Sequence, residues 1–241
     1  MSNARINLIS GPRNISTALM YSFASRSDTM VVDEPMYAYY LSQVDIDHPG
    51  QDEIMKALPK DIETVLSSYF FQDIDSSYLF IKGMAHHYEG LEDLSFLHEL
   101  KNVFLIRNPK QLIASFAQVI ENPTIRDIGL KHEFELFSYL RDQEREPVVL
   151  NSGEILNNPE KALTALCEHL GIPFNRAMLH WTPGPKPYDG VWAPHWYANV
   201  WKSTGFKKQE TSRRPFPEHL VALLEEANYY YDQLSNHIIT P

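Results

Sequence analysis

The sequence predicts an α/β protein, a three-layer sandwich with a central, mainly parallel sheet. Three observations carry this. Five short apolar runs are nearly continuous rather than alternating, as strands buried on both faces are. Helical patterns stand between them, the rhythm of parallel βαβ connections. No internal repeat, low-complexity tract or Gly/Ser linker interrupts the chain, so one domain over residues 1–241 is expected.

The strands are expected at 6–10, 29–33, 78–82, 103–106 and 148–151. Helices are expected near 16–25, 53–70, 91–100, 109–120, 125–141 and 159–170. A last helix is expected at 217–234, where Leu220, Leu223, Leu224 and Ala227 recur at helical spacing and should pack. Residues 180–201 follow neither period. They hold all four tryptophans, from Trp181 to Trp201, among six prolines and glycines, which is loop chemistry. Such a loop either stacks a flat or apolar acceptor group or pins itself to the core as an aromatic cluster.

Composition sets the class. With 44% hydrophobic residues the chain can bury a full core. A formal charge of −10 argues against general binding to nucleic acid or an anionic membrane, yet leaves room for one local basic pocket. No apolar run reaches membrane-spanning length, and the N-terminus leads directly into a strand pattern without a secretory leader. A cytoplasmic protein is therefore expected. The single cysteine, Cys167, allows no internal disulfide and sits in the apolar pattern Leu163, Leu166, Leu170, as a core thiol would.

Two stretches carry the chemistry. In the first, strand 6–10 runs through Gly11-Pro12-Arg13-Asn14-Ile15-Ser16-Thr17 into a helix. A helix start offers unpaired N–H groups and partial positive charge, a ready anion site. Ser16 and Thr17 add hydroxyls and Arg13 a planar cation. An ordinary capped connection would also carry Ser and Thr. The loop lacks the Gly-Lys-Ser/Thr of a Walker A sequence. In the second stretch, strand 103–106 ends at Arg107-Asn108-Pro109, and Ser115 follows eight residues after Arg107. Arginine matches phosphate oxygens with a fork of donors. In open parallel sheets ligands sit beyond the carboxyl ends of the strands, where both stretches fall.

The pair resembles the sulfotransferase family that uses 3′-phosphoadenosine 5′-phosphosulfate (PAPS). That family's 5′-phosphosulfate loop corresponds to Pro12-Arg13-Asn14-Ile15-Ser16-Thr17, with Ala18 following, and its 3′-phosphate turn to Arg107-Asn108-Pro109 with Ser115. Asp33-Glu34-Pro35, Phe80-Ile81-Lys82 with His86, and the run at 148–174 are also similar. More faintly, Ser203 and Lys207 match the basic segment that closes over the 3′-phosphate, as part of a stretch reaching Arg213-Arg214-Pro215. The resemblance implies a fold of the P-loop nucleoside triphosphate hydrolase type. Two departures stand out. Ile15 replaces a loop glycine, where a β-branched residue restricts backbone approach to a phosphate. Lys82-Gly83-Met84 lacks the histidine of the cytosolic branch's Lys-Thr-His run.

The activity implied is transfer of a sulfuryl group from PAPS to a hydroxyl or amine of a small-molecule or carbohydrate acceptor. Catalysis of this kind is largely positioning and electrostatic stabilisation. Arg13, the loop N–H groups and Lys82 would neutralise the sulfuryl oxygens and the leaving phosphate. Glu34 is the first candidate base, His86 the second and His87 the third. No metal is required: His86, His87 and Glu89 have no further ligands near them in sequence. The alternatives are an ATP-using phosphotransferase, against which the missing lysine counts, and a nucleotide-binding protein that has lost catalysis.

Overall fold

The computed structural model describes residues 3–46, 48–118, 120–208 and 216–240. Its centre is a five-stranded sheet: β1 (Ala4–Ser10), β2 (Thr29–Asp33), β3 (Tyr78–Met84), β4 (Lys101–Ile106) and β5 (Val148–Asn151). The order is β2-β3-β1-β4-β5, and every neighbouring pair is parallel. The predicted fold class is therefore the observed one, and all five expected strands form.

Side chains alternate between the two faces, as the period of a strand requires. Ile9, Ile81, Phe104, Ile106 and Val149 belong to one apolar layer, Leu8, Phe80, Val103, Leu105 and Leu150 to the other. Both faces need cover because both are apolar. On the second face it comes from α1 (Ser16–Ala24), where Phe23 stacks on Phe80 with ring centroids 4.1 Å apart. Between β2 and β3 lie α2 (Tyr37–Gln43), α3 (Gln51–Ala57) and α4 (Ile62–Val65). The first face is covered by α5 (Pro109–Phe116) and, after α6 (Ile125–Ile128), by α7 (Leu130–Asp142). Beyond β5 come α8 (Ser152–Asn157) and α9 (Pro159–His169), then α10 (Ala193–Trp196) and α11 (Val221–Ser235). Leu163, Leu166 and Cys167 of α9 pack on the second face. Burial pushes the Cys167 thiol up to about 11, so it is a core thiol, as its pattern predicts.

Three expected helices are broken, each for a local reason. The one at 53–70 stops at Leu58, which precedes Pro59 and adopts extended backbone because proline disfavours the α region before it. The chain restarts when the Asp61 carboxylate accepts the Thr64 N–H. Of 91–100 only a 3-10 turn, Ser95–Glu99, forms. The helix at 125–141 is cut by Gly129, with φ 78°, the left-handed region that glycine enters at least cost. That break has a purpose in the packing. A Cβ on Gly129 would stand 2.9 Å from Cα of Gly11, and one on Gly11 would stand 2.3 Å from the Ile128 carbonyl oxygen. The start of α7 thus presses directly against the loop after β1.

Candidate active site

The carboxyl ends of β1 to β4 bring four segments to one edge of the sheet. After β1, the loop of residues 11–15 alternates backbone hand: Arg13 has φ 59° and Ile15 φ 57°, while Asn14 between them has none of this positive φ. Such alternation turns successive N–H groups into one concavity, a nest for an anion. It leads into the first turn of α1, which carries no acidic residue. Ile15 takes the left-handed conformation that a glycine would favour, at a cost of roughly 1–2 kcal/mol. Its side chain packs partly against the second-face core.

Arg13 and Arg107 meet over this loop. Arg107 Nη1 donates to the Arg13 carbonyl oxygen at 2.6 Å, and Arg13 Nε donates to Ser115 Oγ at 3.3 Å. Asn14 Nδ2 donates to the Leu105 carbonyl, tying the loop to β4. Burial, and next the Arg13 cation, lowers the Arg107 guanidinium's pKa. An anion between the two cations would relieve that repulsion. Ser16 is buried at the first position of α1, Ala18 packs on the second-face core, and Thr17 pairs with the Tyr197 hydroxyl.

Beside the loop lies a buried charge cluster. Lys82 Nζ donates to Asp33 Oδ1 at 2.9 Å, to Glu34 Oε1, and to Tyr197 Oη at 2.7 Å. An ammonium has three hydrogens, and all three are used. Lys82, expected to face a bound anion, here gives its hydrogens to the two carboxylates and Tyr197. Tyr197 Oη also accepts from Trp192 Nε1 at 3.2 Å and donates to Asp33 Oδ2 at 2.8 Å. Asp33 Oδ2 accepts the Gly190 N–H as well. Glu34 is the member left partly open. It follows β2 with φ 41°, an unusual backbone for a residue before proline, costing about 1–3 kcal/mol. Its Oε2 has one neighbour of opposite potential charge, His87 Nε2 at 4.0 Å. Burial raises the Glu34 carboxyl above its usual range; Lys82 pulls it down and Asp33 pushes it up again. Burial opposes the charge on Lys82, but the two carboxylates outweigh it and keep the ammonium protonated.

His86 and His87 follow β3. His87 is fully buried, stacked on Tyr40 at 5.0 Å and tilted against Tyr37 at 4.4 Å. Burial, then any charge on His132, brings His86 down to about 3, and burial also holds His87 well below the usual histidine value. A ring that weakly basic is a poor base, which favours Glu34 for that role.

The aromatic segment is a packed cap rather than an open wall. Trp192 is 2% exposed and lies in a cluster with Tyr37, Tyr40, Leu41 and Ile54. The Asp189 carboxylate pins the segment to α1 and to itself: it accepts from Tyr21 Oη at 2.7 Å and Trp201 Nε1 at 2.8 Å. Trp196 differs, being half-buried with an indole N–H that has no partner among the described residues. The Ser203 hydroxyl, expected on a 3′-phosphate, accepts from Trp181 Nε1 at 3.0 Å and donates to the Val200 carbonyl at 2.6 Å. Lys207 is exposed; Arg213, Arg214 and Pro215 lie outside the described residues.

One acidic group enters unannounced. Glu133, on α7, is fully buried against Gly11, and neither carboxyl oxygen has a hydrogen-bond partner among the described residues. Burial raises its pKa well above the usual 4.5. The folded protein therefore keeps a proton that the unfolded chain releases above that value. Stability is full below it and is lost as pH rises towards the folded value, by up to about 1.4 kcal/mol per pH unit. Glu133→Gln, which mimics the protonated acid, is expected to flatten urea-unfolding stability between about pH 5 and pH 8 and to raise it at the upper end. An equally steep decline in the variant would assign the dependence elsewhere.

Among the described residues no cluster of histidine, cysteine, aspartate and glutamate is placed to hold a metal ion, and no helix is long and apolar enough to cross a membrane.

A family model described as a sulfotransferase domain matches residues 4–236. Two Arabidopsis thaliana proteins, named branched-chain-amino-acid aminotransferase-like proteins 1 and 2, are 37% identical over 230 residues and 36% identical over 234. The matches cover 95% and 97% of this chain but 41% and 42% of those proteins, so the chain spans about two fifths of the length of these curated relatives. The sulfotransferase domain of the Synechococcus PCC 7002 olefin synthase superposes with a TM-score of 0.53 at 18% identity, covering 95% of this chain and 96% of that one. A sulfotransferase from Alicyclobacillus acidocaldarius gives a TM-score of 0.56 at 11% identity, covering 99% and 98%. At such identities these two likenesses speak for the fold alone.

Proposed function

Because this chain belongs to the sulfotransferase domain family, we propose that it moves a sulfuryl group from PAPS to a hydroxyl or amine of a small-molecule or carbohydrate acceptor. One observation carries the reading: a two-cation anion grip and a carboxylate with one open edge lie on the same sheet edge. The donor set fits the co-substrate. PAPS would bring two anionic ends and the sulfuryl group to be transferred. The N–H nest of residues 11–15 and the Arg13 guanidinium suit the phosphosulfate end. Arg107 and Ser115 suit the 3′-phosphate. Glu34 Oε2 takes the acceptor's proton, and Lys82 acts at one remove, fixing Glu34 and Asp33. Tyr197 ties this cluster to Thr17 of the anion loop, so proton acceptance and anion binding share one framework.

The binding half is tested by thermal shift with 3′,5′-ADP against ATP plus Mg²⁺. A ligand bound only by the native state adds RT ln(1 + [L]/Kd), about 2.7 kcal/mol at a hundredfold excess over Kd. A rise with 3′,5′-ADP that Arg107→Met abolishes is expected. A rise with ATP and Mg²⁺ alone would move the reading to phosphoryl transfer, and no rise with either would sink it. For the acceptor side, Trp196→Ala is expected to raise acceptor KM several-fold with 3′,5′-ADP affinity unchanged, since its half-buried ring leaves aromatic surface on which a flat group can stack. Equal loss of both would make Trp196 a structural residue.

A further inference from the structure

We infer that the adjoining imidazoles of His87 and His86 form a proton exit for Glu34, leading to a cavity between Glu89 and His132. This rests on the sulfotransferase reading with Glu34 as base. Glu34 is 6% exposed, and Lys82 and Tyr197 occupy its Oε1 side. Once an acceptor sits at Oε2, the proton it gives up has no open path to bulk water on that side. The group facing Oε2 from the protein is His87, with Nε2 at 4.0 Å.

From there a row of imidazoles runs outward. Neither nitrogen of His87 has a hydrogen-bond partner among the described residues, and the buried Nδ1 of His86 has none. The two rings meet edge to face, centroids 4.6 Å apart. Ala85, which precedes His86, and Glu89, three residues beyond it, line a cavity of about 420 Å³ together with Arg126, Lys131 and His132. His132 Nε2 lies 3.7 Å from Glu89 Oε2, and the Glu89 side chain is 39% exposed. The two rings therefore stand between a buried carboxylate and the part of the chain that lines this cavity.

Packing alone does not account for it. Phenyl rings would fill the space beside Tyr37 and Tyr40 without burying unpaired polar nitrogens, which costs free energy. Imidazole is the ring that can accept a proton on one nitrogen and release another from the second. The step balances as follows. The acceptor's oxygen or nitrogen bonds to sulfur, the bond from sulfur to the bridging phosphate oxygen breaks, and the departing 3′,5′-ADP keeps that electron pair. The acceptor's proton goes to Glu34 Oε2 and then to His87 Nε2. His87, starting as its Nδ1–H tautomer, releases that other proton to His86, which passes one to solvent in the cavity. The transfer requires the 4.0 Å separation to close to hydrogen-bond length in the loaded site. The transfer from Glu34 to these weakly basic rings is uphill, so each ring carries the proton only in passing.

The test follows sulfuryl transfer from ³⁵S-labelled PAPS to a panel of phenols, alcohols and amines, with 3′,5′-ADP thermal shift run alongside. His87→Phe keeps the ring packing and is expected to lower kcat at least about tenfold, with 3′,5′-ADP affinity unchanged. In His87→Ala, added imidazole is expected to restore part of the lost rate, which a purely structural role would not allow. A kcat within twofold of wild type in His87→Phe, or a loss in His87→Ala that imidazole leaves untouched, overturns the exit. If the His87 variants do not fold, His86→Phe decides: a severalfold lower kcat with unchanged 3′,5′-ADP affinity supports the exit, and an unchanged kcat overturns it. Wild-type protein that binds 3′,5′-ADP but transfers to no acceptor has no proton to export, which overturns the exit alone. Wild-type protein that neither binds nor transfers takes down the sulfotransferase reading with it.

Discussion

Glu34→Gln is expected to lower kcat at least about a hundredfold while 3′,5′-ADP affinity stays near that of the parent protein, because a positioned base contributes about 10²–10⁴ in rate. The substitution is nearly isosteric, and a glutamine oxygen can still accept from Lys82, so the cluster keeps its shape. What it loses is proton affinity at Oε2, for which no hydrogen bond is seen among the described residues. The pH profile gives a second readout. A base must be ionised to work, and burial places the Glu34 carboxyl above the usual carboxylate range. In the parent protein kcat/KM should climb with pH through that raised value, and the glutamine variant should lack the climb. Near-normal turnover in Glu34→Gln would remove Glu34 from the chemistry and return the role to a histidine.

The parts of this architecture that were readable in the chain are those written in contiguous residues. Each strand is an apolar run because helices cover both faces, and all five form where the runs stand. The anion loop and the Arg107 turn were readable for the same reason: strand end, loop and helix start follow one another. Helix ends were not, since a single residue decides them. Pro59 and Gly129 each overrule a longer apolar period. The charge cluster was half readable. Asp33 and Glu34 lie at a visible strand end, but their tie to Tyr197 comes from a contact between Lys82 and a residue 115 positions away, and nothing local marks it. Nor was the bond of the Ser203 hydroxyl to a tryptophan 22 positions back readable, a pairing that only the folded cap creates. Glu133 did leave a signal. It shares one stripe of α7 with Leu130, Phe137 and Leu140, which are all buried. An acid at an apolar position of a helical period is a buried acid, and here it marks where α7 meets the anion loop.

Lys82→Met carries the largest expected effect on stability. It removes the one cation holding two carboxylates that are each less than a tenth exposed. Breaking a buried pair on one side costs about 3–5 kcal/mol, because the remaining charge is left uncompensated. Here two like charges remain, and neighbouring carboxylates cannot both stay ionised without a further penalty. One of them takes a proton instead, so the pair's upper pKa rises. The sign of the pH dependence follows. An acid whose folded pKa is raised contributes stability that is complete below its unfolded value and is lost as pH rises through the folded one. The deficit of Lys82→Met relative to the parent protein should therefore be smaller near about pH 5 and larger near about pH 8 in urea unfolding. The substitution also separates structure from chemistry. Arg13 and Arg107 are untouched, so the protein that remains folded at low temperature should still bind 3′,5′-ADP, whereas turnover should fall with the loss of an oriented Glu34. A deficit under about 1 kcal/mol and independent of pH would mean that water or local rearrangement compensates the carboxylates, and that Lys82 is not what holds Asp33 and Glu34 in place.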